Sequence, residues 1–216
     1  MRTTRSLIAS AAVIGLLVAS GATQAQDWVV KGGAIFYQTH SETTGIVGVG
    51  IPPGADAETG DAWTAIFVLE RTLTPNIGVE LVLGIPPTIH AKATGSVAFL
   101  GDDVLSAKNV APTVLLNYYF GEPTATWRPY LGAGINYTRF TDIQTKLPVQ
   151  SVEMSDSWGW AVQAGINYAA AKNWGLFASI ARVDVKTDLV AVGSTVLTTT
   201  IDFKPVTYSF GAWYRF

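Results

Sequence analysis

The residues of this 216-residue chain that could perform chemistry are few and scattered. His40, Ser41 and Glu42 are the residue types of a serine hydrolase, but sequence neighbours on a strand point to opposite faces and would not converge. Asp102 and Asp103 offer carboxylate oxygens to Ca²⁺, which takes roughly six to eight ligands, so one acidic pair falls far short. We therefore expect no catalytic residue, no metal site and no cofactor.

Two further features have simple interpretations. The segment 45–50 is rich in glycine but lacks the strand and helix that flank a dinucleotide site, and we interpret it as a flexible loop. The second histidine, His90, falls in or beside a connection between predicted strands, as does His40.

The chain has no Cys, which excludes thiolate catalysis and Cys-ligated metal. An enzyme is the weaker interpretation of this sequence.

The composition excludes two broad classes of protein. Charged residues make up only 14% of the chain, against roughly 25% in soluble domains, and aromatic residues make up 11%. A chain this rich in apolar and aromatic residues is not disordered. Its net charge of −2 gives no basic surface for a nucleic acid partner.

The N-terminus is typical of a secretory signal peptide. Arg2 and Arg5 precede an almost wholly apolar stretch at 7–22, and small residues flank a cleavage position after Ala25. A membrane anchor would need a longer apolar run. We predict a signal peptide at 1–25, followed by one exported domain at 26–216.

The exported domain is apolar, yet the sequence predicts no membrane helix in it. Gly, Pro or charged residues interrupt each apolar run before the about 20 residues that such a helix needs. Instead, apolar and polar residues alternate with a period of two, which is typical of strands. It is clearest at 157–169 and at the C-terminus, where one apolar face comprises Val206, Tyr208, Phe210, Ala212, Tyr214 and Phe216.

Eight such segments can be traced, and the connections between them are alternately short and long. They are predicted at 28–39, 62–72, 77–85, 110–120, 128–140, 157–169, 173–185 and 206–216. Short periplasmic turns and long outer loops characterise outer-membrane barrels. We therefore predict an all-β fold, an eight-stranded antiparallel up-and-down transmembrane β-barrel with both mature termini in the periplasm. Strand seven is ambiguous because Arg182, Asp184 and Lys186 share a register with Trp174.

Alternation also predicts which side chains face the lumen. Five charged residues fall on the lumen face near the short-turn ends, because facing lipid would be costly there: Lys31, Glu70, Glu80, Arg128 and Arg215. Glu70 and Glu80 flank a turn centred near Pro75, which makes them cross-strand neighbours that need cations between them. We predict a salt-bridged plug with Trp213 packed above it. The alternative is that each charge is hydrated independently at the periplasmic rim.

The long outer loops are unusually apolar. Exposed apolar surface often marks a binding site, so we predict substrate-entry loops comprising Ile46, Val47, Val49, Ile51, Phe99, Leu100, Val192 and Val196. The alternative interpretation is that these loops pack on one another or extend the strands.

Several segments, in order along the exported domain, together resemble the outer membrane protein W family (OmpW). They are RPYLGAGINYT at 128–138, NIGVEL at 76–81, PT at 112–113 with YYF at 118–120, DSWG at 156–159 and GAWYRF at 211–216. The resemblance implies an eight-stranded barrel integral to the bacterial outer membrane. It also implies passive passage of small hydrophobic molecules, which leave sideways into the outer-membrane lipid.

Two alternatives to this function remain open. One is a structural or adhesive barrel without transport, in which side chains would fill the lumen along its full length. The other is a soluble, two-sheet periplasmic binding module. The terminal Phe216 argues against the second, because the chain then resembles outer-membrane barrels whose terminal aromatic residue is an assembly signal for the barrel assembly machinery.

Overall fold

The computed structural model describes residues 28–39, 41–146, 149–193 and 196–216. The predicted signal peptide and His40 lie outside the described residues. The described strands are β1 (Trp28–Gln38), β2 (Glu42–Thr43), β3 (Val47–Gly48), β4 (Ala55–Thr59), β5 (Ala62–Thr74), β6 (Ile77–Gly84), β7 (Thr88–Gly95), β8 (Leu105–Val110), β9 (Thr113–Tyr119), β10 (Trp127–Thr145), β11 (Ser151–Met154), β12 (Ser157–Ala169), β13 (Trp174–Val183), β14 (Lys186–Val192), β15 (Val196–Asp202) and β16 (Val206–Arg215). Among these residues, no helix combines the length and apolarity that crossing a membrane requires.

Eight of the strands close into a barrel. Their order is β12-β13-β16-β1-β5-β6-β9-β10, and β10 pairs again with β12. Each of these neighbours is antiparallel. The eight-stranded antiparallel barrel predicted from the sequence is confirmed.

The predicted strand bounds hold except around strands four and five. Strand four is divided, because β8 ends at Val110 and β9 begins at Thr113. Pro112 lies in the break and has no N–H with which to continue a ladder. Strand five runs five residues beyond the predicted Phe140, to Thr145, because its outer part pairs with β8.

The alternation separates an outward apolar face from the lumen. Trp63, Trp158, Tyr214 and Phe216 point outward and are about half exposed or more, as lipid-facing aromatic residues at the interfaces do. Trp127, which the sequence placed in a turn, also points outward, and its ring centroid lies 4.6 Å from that of Tyr168.

The ambiguity of strand seven has a simple resolution. β13 ends at Val183, so Arg182 is its last outward-facing residue and Asp184 lies beyond the strand. Lys186 begins β14, which belongs to the outer sheet rather than to the barrel. Arg182, Asp184 and Lys186 therefore have the same parity as Trp174 but lie at or beyond the outer end of the strand.

The outer connections are largely β-structured. β7 and β4 extend the outer part of β10 through β8, while β11, β14, β15 and β2 form a second sheet. The expectation of a flexible loop at 45–50 is wrong in part, because β3 pairs with Leu197 and Thr198 of β15. Gly45 and Gly50 take positive φ angles of 84° on either side of it, a conformation that glycine adopts without strain.

Two small apolar cores hold these outer segments together. One contains Phe140, Val185, Ile201 and Phe203, with the two phenylalanine rings stacked at 5.5 Å. The second contains Ala55, Ala93, Val97 and Val104, against which Ile46 and Ile51 pack. Parts of the outer loops therefore pack on one another and extend the strands.

Candidate functional site: the barrel lumen

Three charged side chains meet in the barrel interior. Glu70 and Glu80 are cross-strand partners in the β5–β6 ladder. Lys31, on β1, lies between them: its Nζ is 2.9 Å from Glu70 Oε2 and donates a hydrogen bond to Glu80. The three side chains, here called the lumen cluster, are each at most 5% exposed. Burial of this kind makes the three charges depend on one another.

Neutral polar groups and aromatic rings complete the surroundings of the lumen cluster. Gln163 Nε2 donates to Glu80 Oε2 at 2.6 Å and lies 2.8 Å from Asn117 Oδ1. The Lys31 ammonium lies 3.5 Å from the Tyr119 hydroxyl and 5.1 Å from the centroid of the Tyr130 ring. Together with Gln163, the cluster therefore forms a hydrogen-bonded network that crosses the lumen from β1 to β12.

Arg128 and Arg215 face the interior but form no described ion pair with the two glutamates. The Arg128 guanidinium donates to the Pro75 carbonyl oxygen and lies 5.0 Å from the Tyr119 ring. The Arg215 guanidinium lies 5.7 Å from the Trp213 ring. Both arginines therefore lie beside the lumen cluster on its periplasmic side.

Trp213 does not lie above the lumen cluster. It is the cross-strand partner of Lys31, its Nε1 donates to the Leu176 carbonyl oxygen at 3.1 Å, and it faces the periplasmic cavity described next. On the outer side of the cluster the neighbouring ring is that of Phe177, 5.8 Å from Lys31 Nζ. The alternation of β16 predicts that Trp213 points inward, but it does not predict the level of Trp213 along the barrel axis relative to Lys31.

The lumen cluster separates two spaces. On its outer side lies a small lumen cavity of about 70 Å³, with Lys31 and Glu80 in its lining. On its periplasmic side a wider vestibule of about 570 Å³ is lined by Glu70, Tyr119 and Trp213, together with both arginines. The side chains of the outer half of the barrel therefore leave a small open space above the cluster.

The lumen cavity has two unlike walls. Aliphatic side chains of β1, β5 and β6 form one wall: Ile35, Ile66, Val68 and Val82. Neutral polar side chains are concentrated on the other strands, including Asn136 and Thr138 of β10. Asn136 donates to Thr113 Oγ1 at 2.8 Å and accepts from Thr138 Oγ1 at 2.7 Å.

The wall of the barrel is interrupted between β6 and β9. Their ladder ends at the pair Val82–Thr113. The two sides are joined again by the hydrogen bond from the Asn109 N–H to the Pro87 carbonyl oxygen and by the pair Thr88–Lys108. Residues 83–86 and 110–112 are described and have no ladder partner across this gap, which spans about 13 Å at roughly 3.3 Å per residue. Val82, Ala111 and Thr113 line the lumen cavity, so the cavity reaches the edge of the gap.

The predicted entry residues fall into two groups. Ile46 and Ile51 are partly buried against the second outer core. The other six are exposed on the outer surface: Val47, Val49, Phe99, Leu100, Val192 and Val196. None of the eight lines the lumen cavity.

The described outer histidine, His90, lies in an exposed ion pair. His90 Nδ1 lies 2.5 Å from Asp103, and Lys146 lies 2.8 Å from the other oxygen of that carboxyl group. These two hydrogen bonds hold the pKa of Asp103 below its usual value. Ser106 is the strand partner of His90, but no hydrogen bond joins their side chains. Within the described ranges, no group of three or more acidic or histidine side chains could hold a metal ion.

The gap and the two-faced cavity were missed from the sequence. Their signal is the prolines at 86, 87 and 112, because a proline within a predicted strand marks a break in pairing. Which strand faces the break, however, depends on the closure of the barrel.

Comparison with known proteins agrees with the fold. The model of the OmpW family matches residues 24–216. Outer membrane protein W of Vibrio cholerae is 33% identical over 158 residues, which cover 69% of this chain and 72% of that protein. The dibenzothiophene metabolism operon protein PahQ of Pseudomonas aeruginosa is 29% identical over 136 residues, 63% of each chain.

A solved structure has the same fold. The outer membrane protein OprG of Pseudomonas aeruginosa superposes with a TM-score of 0.83, covering 88% of this chain and 96% of that one at 24% identity. The family match and the relative named as an outer membrane protein, together with the closed barrel, identify the chain as an integral outer-membrane protein and exclude a soluble periplasmic module. It belongs to the OmpW family.

Proposed function

We propose that the barrel provides passive passage for small hydrophobic molecules, which enter from outside and leave sideways into the outer membrane. The lumen cavity is the observation that carries this proposal, because a purely structural or adhesive barrel of this size would be filled by side chains. The relative encoded in a dibenzothiophene metabolism operon supports an apolar solute. The exposed apolar residues of the outer loops, including Phe99 and Leu100, are proposed as the first contact surface.

The lumen cluster is proposed as a plug that prevents exit into the periplasm. An apolar solute that passed Lys31, Glu70 and Glu80 would have to separate buried charges from their partners, at a large desolvation cost. Arg128, Arg215 and Trp213 are proposed to support the plug from the vestibule. The aliphatic wall ends at β6, beside the gap, and this supports exit through the gap.

The gap lies where a solute could enter the outer leaflet. Ile85, which is 66% exposed, donates its backbone N–H to Ala65 of β5, two residues from Trp63. On the other side, Tyr137 donates its N–H to Pro112, and its ring lies 4.9 Å from Trp158. Tryptophan and tyrosine prefer the membrane interface, so the gap lies beside the outer aromatic belt.

Biogenesis is proposed to involve the barrel assembly machinery, with Phe216 as the signal. This residue follows β16 directly and is 54% exposed. Its N–H donates to Trp28, and its ring lies 5.1 Å from that of Tyr214. The proposal includes no catalytic activity and no cofactor.

Uptake by cells with and without the gene tests the proposal. We expect faster uptake of an apolar aromatic solute, such as naphthalene, in cells that produce the protein. A small hydrophilic sugar should enter at the same rate in both strains, because the plug excludes it. Equal rates for naphthalene and for further hydrophobic solute classes would overturn the proposal.

The plug has its own test. Replacing Glu70 and Glu80 together with Gln should loosen the lumen cluster and raise single-channel conductance in planar bilayers, because Lys31 then loses both ionic partners. Glu58→Gln, at an exposed ion pair with Lys92 between β4 and β7, is the matched control and should leave conductance unchanged. An unchanged conductance of the folded double variant would count against the plug.

A further inference from the structure

Strand β16, opposite the gap, carries two hydroxyl groups without a hydrogen-bond partner. Thr207 and Ser209 of β16 line the lumen cavity and are only 5% and 7% exposed. Within the described part of the chain, neither hydroxyl has a hydrogen-bond partner. Neither oxygen is among the fully buried unpaired polar atoms, so both hydroxyl groups are accessible from the cavity and can form hydrogen bonds with a solute inside it.

A third hydroxyl extends this pair. Ser179 of β13 is the direct strand partner of Ser209 and also lines the cavity. Its side chain contacts the Tyr130 hydroxyl on the neighbouring wall. Ser179, Thr207 and Ser209 are here called the hydroxyl row.

The strand order places the hydroxyl row across the lumen from the gap. In a ring of eight, each strand faces the fourth one along, so β13 faces β6 and β16 faces β9. The gap lies between β6 and β9, and its edge residues Val82 and Ala111 line the same cavity as the row. A solute lying across the lumen could therefore contact the row at one end and the gap at the other.

The charges near the cavity are already used. Lys31, at the floor of the cavity, binds both Glu80 and Glu70. Asn136 is hydrogen-bonded to Thr113 and Thr138. What remains available is neutral and can both donate and accept. These properties fit an uncharged hydroxyl or carbonyl group better than an ionised one.

We propose that the lumen cavity is selective for amphipathic solutes, which combine an apolar body with one neutral hydrogen-bonding group. The hydroxyl row binds the polar group, and the aliphatic wall of Ile35, Ile66 and Val68 contacts the body. The apolar end is thereby directed toward the gap. This inference rests on the proposed passage function and specifies its substrate class.

A pair of solutes of matched length tests the inference. Uptake of labelled 1-octanol and of labelled octane is measured in cells that produce the protein, and the rate in cells without it is subtracted. A neutral hydrogen bond strengthens binding by a factor of about 2–10. We therefore expect the protein-dependent uptake rate of octanol to be about 2–10 times that of octane. In the variant Ser179→Ala/Thr207→Val/Ser209→Ala the ratio should fall to about one, while octane uptake is kept.

The control variant is Thr198→Val, which removes an exposed hydroxyl of β15 in the outer sheet. Heat-dependent mobility on SDS gels shows that each variant forms the barrel. An equal ratio in the wild type and the triple variant, with octane uptake intact, would overturn the selectivity and leave the passage function standing. An absence of protein-dependent uptake of both solutes would overturn the passage function and this inference with it.

Discussion

Replacing Lys31 with Met should lower the free energy of unfolding by about 3–5 kcal/mol, the usual cost of removing one partner from a buried ion pair. Met has a similar length and fills the space, so the loss is chiefly that of the charge. Glu70 and Glu80 would then face each other as cross-strand neighbours, with no ammonium between them and almost no water. Urea unfolding in lipid vesicles, followed by tryptophan fluorescence, measures the change.

Two companions make this result specific. Lys92→Met removes a lysine from an exposed pair with Glu58 and should change the free energy of unfolding little, because exposed ion pairs contribute little. The neutral triple variant Lys31→Met/Glu70→Gln/Glu80→Gln should recover much of the loss, since no unpaired charge remains buried. A loss below about 1 kcal/mol for Lys31→Met would show that the cluster is solvated rather than buried.

The barrel could be predicted from the sequence because its strands obey a local rule. In a strand that separates lipid from lumen, each residue's side is fixed by its parity, so the inward directions of Lys31, Glu70 and Glu80 followed from alternation alone. The turn near Pro75 then set the register between β5 and β6. These local relations also explain why Glu70 and Glu80 were expected to be neighbours.

Features that depend on non-local closure were not predictable in the same way. The depth of Trp213 relative to Lys31 depends on how β16 pairs with β1, and these strands lie at opposite ends of the domain. The outer sheets depend on pairings such as Val47 with Thr198, between short segments without regular alternation. The sequence shows that the loops are apolar. It does not show whether an apolar loop residue is buried in a small core or exposed to a solute, because both roles require the same residue types.

If solutes leave through the gap, a covalent bridge across the gap should stop their uptake. Ile85 and Val110 stand on opposite sides of the gap and are 66% and 37% exposed, so cysteines at both positions would be open to a short bis-methanethiosulfonate reagent. The chain has no native Cys, and only the introduced pair can react. Val79 and Leu116 are partners lower in the β6–β9 ladder, where the strands are already joined, and a cysteine pair there is the matched control.

The decisive measurement is hydrophobic solute uptake by cells carrying each cysteine pair, before bridging, after bridging and after reduction. We expect that bridging Ile85→Cys to Val110→Cys lowers uptake to the level of cells without the protein, and that reduction restores it. Bridging the control pair should leave uptake unchanged, because that part of the wall does not open. Full uptake through a barrel whose bridge at the gap is verified by mass spectrometry would contradict lateral exit at this site.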